Sequence, residues 1–217
     1  MLPKYETLNK VINSGVVSVV RGATKDEAYK TAEACIEGGI KAIEVTFTAP
    51  HADEIIAELL EQYRDDSEVV IGAGTVLDPE TARIAIIAGA QFIVSASFNK
   101  EVAKICNLYT IPYTPGCMTP NDIQSALTYG ADLIKLFPGS VVGQGAVSAI
   151  HGPFPQANLM ITGGVNLENM HEWFEKGATV LGAGSNLTGA AKKGDFASVI
   201  TQAKKYREEL ERINANK

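Results

Sequence analysis

The sequence predicts a single-domain α/β protein folded as a closed (β/α)8 barrel of the TIM type, with a short N-terminal helix. Eight short β-branched runs alternate with longer segments of helical periodicity, the pattern of a parallel sheet whose strands are joined by helices. The 217 residues sit at the lower end of the size range for such barrels, whereas an open doubly wound sheet more often stops at about five or six strands. No stretch rich in Pro, Gly or Ser divides the chain, so residues 1–217 read as one domain.

The elements follow in order. Leu8 to Asn13 reads as a short helix closing the barrel bottom, and Val16 to Val20 as the first strand. Thr24 followed by Lys25-Asp26-Glu27 forms a capping-box signature, in which the hydroxyl and the Glu three residues on satisfy free N–H groups at a helix start; the helix runs from Lys25 to Glu37. The second strand is Ala42 to Thr46, followed by a helix from Asp53 to Arg64; the third is Val69 to Ala73, followed by a helix from Pro79 to Ala88. Phe92 to Ser95 and Ile111 to Thr114 give the fourth and fifth strands. Thr119-Pro120 then supplies an N-cap and a proline at the first helical position of a segment reaching Leu127. Leu133 to Phe137, Leu159 to Thr162 and Val180 to Ala183 complete the strands, with helices over Leu167 to Glu175 and Phe196 to Leu210. Gly38-Gly39, Gly89, Gly130 and Gly177 each lie between a helix and the next strand, where a glycine ends the helix.

Composition removes several function classes. The charge of −6 is dispersed, and Lys and Arg cluster only in the amphipathic last helix, so no nucleic-acid partner is expected. The N-terminus carries charges and no long apolar core, and no run approaches the roughly 20 apolar residues of a membrane span, which predicts a cytoplasmic protein. Cys35, Cys106 and Cys117 are odd in number and lack CxxC spacing, as expected of reduced thiols. His51, His151 and His171 show no paired-ligand spacing; they read as surface or capping residues, and no metal or cofactor is expected.

In a barrel of this kind chemistry sits at the C-terminal ends of the strands. In Leu133-Ile134-Lys135-Leu136-Phe137 the alternation of side chains separates Ile134 and Leu136 from Lys135, so Lys135 points inward if the others meet the helices. Burial disfavours a charged ammonium, and a neutral amine can attack a ketone to form an imine that draws electrons from the neighbouring bond. In Ile43-Glu44-Val45-Thr46-Phe47 the same alternation turns Glu44 inward. A Lys and a Glu facing one another can serve as nucleophile and general acid/base; they can equally be a buried ion pair. Thr162-Gly163-Gly164 after the seventh strand and Gly182-Ala183-Gly184-Ser185 at the eighth stand where barrels bind phosphate through backbone N–H groups.

Ile43-Glu44-Val45-Thr46, Gly72-Ala73-Gly74-Thr75-Val76-Leu77, Gly89-Ala90-Gln91-Phe92, Pro115-Gly116, Lys135-Leu136-Phe137-Pro138 and Thr162-Gly163-Gly164-Val165 together resemble the 2-keto-3-deoxy-6-phosphogluconate (KDPG) aldolase family, which includes 4-hydroxy-2-oxoglutarate (KHG) aldolases. The resemblance spans the first strand to the eighth. It implies a cytoplasmic, homotrimeric lyase of the Entner-Doudoroff type that reversibly splits KDPG, a phosphorylated 2-keto acid, into pyruvate and glyceraldehyde 3-phosphate. It implies Lys135 as the Schiff-base lysine and Glu44 as the general acid/base. Thr75 and Phe137 would line the pyruvate end, and Thr162, Gly163, Gly164, Gly184 and Ser185 the phosphate pocket. Two positions depart from the family pattern. Thr48 stands where many members carry a carboxylate-binding arginine, a duty that Arg21 at the end of the first strand can take over with a bidentate contact, and Ala96 stands where a proline is frequent. Arg21-Gly22-Ala23-Thr24 and the segment through Ala49-Pro50 are also similar to the aldolases of the galactonate epimer. A phosphosugar isomerase or epimerase, or a non-catalytic phosphate-binding barrel, would share the glycine loops without an imine.

Overall fold

The closed ring depends on how its strands pair. In a computed structural model, which describes residues 2–215, nine strand segments form one sheet in which every pairing is parallel. They are β1 (Val16–Val20), β2 (Ala42–Thr46), β3 (Val70–Gly74), β4 (Ile93–Val94), β5 (Tyr113–Thr114), β6 (Gly116–Cys117), β7 (Ile134–Leu136), β8 (Leu159–Thr162) and β9 (Val180–Ala183). The order β5-β4-β3-β2-β1-β9-β8-β7-β6 is that of an eight-stranded barrel whose fifth strand is interrupted at Pro115. Proline has no N–H to give to a ladder, yet its carbonyl accepts from the Lys135 N–H at 2.9 Å, so the ring continues across the break.

Helices α1 (Pro3–Ser14), α2 (Lys25–Glu37), α3 (Ala52–Gln62), α4 (Pro79–Ile87), α5 (Lys100–Leu108), α6 (Pro120–Thr128), α7 (Gly139–Val142), α8 (Gly145–His151), α9 (Met170–Glu175), α10 (Ser185–Thr188) and α11 (Phe196–Ala215) follow the strands or close the ends. Thr24 accepts from the Glu27 N–H, and Thr119 with Asp122 forms a reciprocal capping box. Asn99 caps α5, a helix that the periodicity left unassigned, through the N–H groups of Glu101 and Val102. The N-terminal helix is longer than Leu8 to Asn13: a proline at its first turn starts it at Pro3.

The alternation of side chains sorts two cores. Val16, Ile43, Val45, Ile71, Ile93, Ile134, Leu136, Leu159, Ile161 and Leu181 face the helices. Val17, Ala42, Val70, Phe92, Val94, Leu133, Met160 and Val180 fill the barrel interior, with Leu8 and Val11 of α1 pressed against them from below. The barrel floor is therefore sealed by side chains.

Four helix-to-strand turns carry the expected glycine in the left-handed region: Gly39 (φ 95°), Gly89 (97°), Gly130 (85°) and Gly177 (102°). The fifth such turn, after α5, has Thr110 at φ 56°, with the same bonds from the Thr110 N–H to the Asn107 carbonyl (3.1 Å) and from the Ile111 N–H to the Cys106 carbonyl (2.9 Å).

Candidate active site

At the level where the apolar filling stops, the inward positions turn polar. Lys135 comes from the middle of β7 and Glu44 from β2, across the ring. Lys135 Nζ lies 3.5 Å from Glu44 Oε1, and the two side chains are 5% and 0% exposed. Glu44 Oε2 and Thr162 Oγ1 are buried without a hydrogen-bond partner, acceptors that a bound ligand can use. The Lys135 amine lies 5.3 Å from the centre of the Phe137 ring, within range of a cation–π contact.

Glycines on neighbouring strands make the room. Thr46 pairs with Gly74 in register, and a methyl group on Gly74 would stand 2.1 Å from Glu44 Oε1. On the other side Thr162 pairs with Gly182, where a methyl group would meet Thr162 Oγ1. Phe92 likewise occupies the space over Gly72. In the sequence Gly182 stands out only as part of the loop Gly182-Ala183-Gly184-Ser185 and Gly74 only within a family motif, neither for the room it leaves beside Thr162 and Glu44; the signal for that room is Gly72-Ala73-Gly74, two absent side chains on one face of a strand.

Thr75 follows Gly74 at the end of β3 with φ 56°, a conformation that costs a β-branched residue roughly 1–2 kcal/mol and marks the strand end as constrained. Gly163 and Gly164, at φ 93° and 80°, carry the chain out of β8 against Pro138, Gly139 and Ser140, where added side chains would press on Gly139 and Ser140. The loops after β7 and β8 thus touch, and Gly139-Ser140 joins the mouth although sequence patterning did not single it out.

Arg21 is exposed at the end of β1 and shares a cleft of about 660 Å³ with Val19, Glu27, Thr48, Ser185, Thr188 and Lys192. Its guanidinium reaches Gly184, 3.8 Å from where a methyl there would lie. Arg21, Thr48, Gly184 and Ser185 are therefore neighbours at one side of the mouth. Lys135 and Glu44 do not line this cleft; its wall residue Val19 pairs with Glu44 across β1 and β2. Lys192, on the 3-10 turn after α10, is a second cation there that the motifs did not indicate.

The thiols take no part in this arrangement. Cys35, Cys106 and Cys117 are buried, and burial pushes each up to about 12, too high for a thiolate nucleophile near neutrality. His151 Nε2 lies 3.0 Å from the Ala157 carbonyl, and His51 Nδ1 2.9 Å from Glu54 at the start of α3.

The pattern characteristic of KDPG and KHG aldolases matches residues 8–202. The chain belongs to this family. It is 36% identical over 202 residues to the 2-dehydro-3-deoxy-phosphogluconate aldolase of Treponema pallidum (strain Nichols), covering 92% of this chain and 93% of that one. It is 32% identical over 199 residues to the 2-dehydro-3-deoxy-6-phosphogalactonate aldolase of Escherichia coli (strain K12), covering 90% and 96%. The crystal structure of KDPG aldolase from Legionella pneumophila, with pyruvate captured as a covalent carbinolamine, superposes with a TM-score of 0.81 at 28% identity over 94% of this chain and 97% of that one. Both the barrel and the family expected from the sequence are thereby established.

Proposed function

We propose that this protein is a Schiff-base aldolase that reversibly cleaves KDPG to pyruvate and glyceraldehyde 3-phosphate, with Lys135 as nucleophile and Glu44 as proton carrier. The observation that carries the reading is the enclosed amine–carboxylate pair at 3.5 Å. A purely structural ion pair in that position would leave Glu44 Oε2 orphaned, and burying two charges is costly unless their remaining atoms are satisfied. An acceptor held free beside an amine instead suits proton transfer.

In the cleavage direction Lys135 Nζ adds to the C2 carbonyl of the substrate. The carbinolamine so formed loses its hydroxyl as water, with Glu44 supplying the proton, to give a protonated imine. Glu44, now a carboxylate, takes the proton of the C4 hydroxyl. The C3–C4 electron pair moves into the imine as C4 becomes the aldehyde, and glyceraldehyde 3-phosphate leaves. The remaining enamine is protonated at C3, and water releases pyruvate and free Lys135. Thr75 and Phe137 line the pyruvate end in this reading. The phosphate lies against Thr162, Gly163, Gly164, Gly184 and Ser185, where glycines let backbone N–H groups approach. Arg21 takes the keto-acid carboxylate in place of the residue at Thr48, which it adjoins.

The neighbourhood of Arg21 and Thr48, together with the identity to the galactonate-epimer enzyme, supports 2-keto-3-deoxy-6-phosphogalactonate as a second substrate; 4-hydroxy-2-oxoglutarate is a third of the same chemical class. We further propose that residues 1–217 act as one domain in a cytoplasmic homotrimer. Borohydride reduction in the presence of pyruvate, followed by mass spectrometry, tests the mechanism. It is expected to place the reduced pyruvyl adduct on Lys135; an unmodified Lys135 would exclude the imine and leave an isomerase, an epimerase or a binding barrel. A coupled assay with the two epimeric phosphates and 4-hydroxy-2-oxoglutarate then ranks the substrates.

A further inference from the structure

A second cationic cleft lies at the opposite end of the molecule from the mouth. It has a volume of about 400 Å³ and is lined by Lys10, Asn13, Ser14, Gly39, Lys41, Ser67, Glu68 and Arg207, which come from α1, the α2–β2 turn, the loop before β3 and α11. Three cations and the single carboxylate of Glu68 line it, with the carboxylates of Asp66 and Glu211 beside two of those cations.

The charges are not all neutralised by their neighbours. Lys41 Nζ is paired with Asp66 at 2.9 Å, and Arg207 Nε with Glu211 at 2.7 Å. Arg207 donates from Nε to Glu211 and keeps its two Nη groups without a hydrogen bond among the described residues, and Lys10, half-buried on α1, has no ion-pair partner among them. Gly39 keeps the floor open: a methyl group there would stand 3.4 Å from Arg207 Cγ, and its φ of 95° excludes ordinary side chains. The volume is within the range of small-ligand sites. A half-buried lysine and an exposed arginine with spare donors, beside the hydroxyl of Ser67 and the amide of Asn13, suit a multiply charged oxyanion.

We propose that this cleft binds a small phosphorylated molecule through its phosphoryl group, gripped by Lys10 and the Nη groups of Arg207, with Lys41 adding to the field. The site is separate from the barrel mouth, so its occupant neither enters the reaction nor touches Lys135. It does not depend on the aldolase reading.

The experiment is residue-resolved acetylation of the full-length protein with and without inorganic pyrophosphate, at ionic strength held constant with chloride. At pyrophosphate ten times its Kd, the rate at Lys10 should fall about tenfold by mass action, while Lys100, exposed on α5, should be unaffected. Arg207→Gln should abolish the protection without altering the circular dichroism spectrum. Unchanged reactivity of Lys10, equal slowing at Lys100, or full protection in Arg207→Gln would each overturn the proposal. Because the readout is Lys10 itself, pyrophosphate bound at the mouth cannot imitate it.

Discussion

Replacing Gly74 by alanine should disable the site by displacing one side chain. A methyl group at position 74 would stand 2.1, 2.4 and 2.6 Å from Glu44 Oε1, Cγ and Cδ; no other side chain is as close, and Gly74 is not among the residues with positive φ. Ordinary contact begins near 3.4 Å, so the carboxylate must retreat by about 1.3 Å, the difference of the two distances. A misplacement of about 1 Å at a reacting group costs on the order of 10²-fold in rate, equivalent to about 2.7 kcal/mol of barrier. The assay follows pyruvate release from KDPG through lactate dehydrogenase and NADH. The Gly74→Ala protein should lose about two orders of magnitude in kcat, keep its circular dichroism spectrum, and still yield the Lys135 adduct on prolonged incubation with pyruvate and borohydride. A kcat equal to that of the unaltered enzyme would show that Glu44 does not act from the position described.

Glu44→Gln, which keeps the shape and removes the proton acceptor, should lower kcat by about 10²–10⁴-fold with a much smaller change in KM; equal changes in the two would point to binding instead. Arg21→Ala should mainly raise the KM for keto-acid substrates, and steady-state kinetics showing an unchanged KM would place the carboxylate elsewhere. Thr110→Gly should stabilise the protein, because the left-handed conformation costs threonine roughly 1–2 kcal/mol while glycine loses about 0.5–1 kcal/mol through its more flexible unfolded chain. The net gain of up to about 1.5 kcal/mol, at roughly 2–4 °C in Tm for each kcal/mol, raises Tm by up to about 6 °C, and a lower Tm by calorimetry would contradict the strain. Acid sensitivity has a definite sign: the hydrogen bond from Lys41 holds Asp66 below the usual carboxylate range, and the Thr81 N–H does the same for Asp78. Their folded pKa values lie below the unfolded value of about 3.9, so their stabilisation is complete above about pH 4 and disappears as pH falls through the lower folded values. Asp66→Asn with Asp78→Asn should therefore flatten the loss of Tm below about pH 4, as thermal melts across pH can measure.

Much of this molecule is written locally in its chain. β1, β2, β8 and β9 occupy the residues that their β-branched runs indicate, because a strand buried on both faces selects such side chains. The fifth strand was harder to read: Pro115 divides it, and the halves Tyr113–Thr114 and Gly116–Cys117 acquire their meaning only from the neighbours with which each pairs. α7, α8 and α10 are short and held by tertiary contacts, so periodicity has too few turns in which to register. Within the site, the alternation around Lys135 and Glu44 was enough to turn both inward. What Gly74 and Gly182 make room for was not legible in the same way, since an absent side chain has a purpose only once the atoms across the register are known. Arg21 and Lys192 are 171 positions apart in the chain and meet because the ring closes between β1 and β9.

The plug that Leu8 and Val11 place under the barrel interior has a kinetic corollary. A vessel with a stopper at one end must be filled and emptied through the other, so the keto acid attached deepest is the first fragment in and the last out. For the proposed cleavage this imposes an order: the aldehyde half departs first and thereby clears the route by which water reaches the anchored enamine. In the reverse direction pyruvate must load before the aldehyde arrives, and an aldehyde in excess should act as a dead-end obstruction competing with it for the entrance.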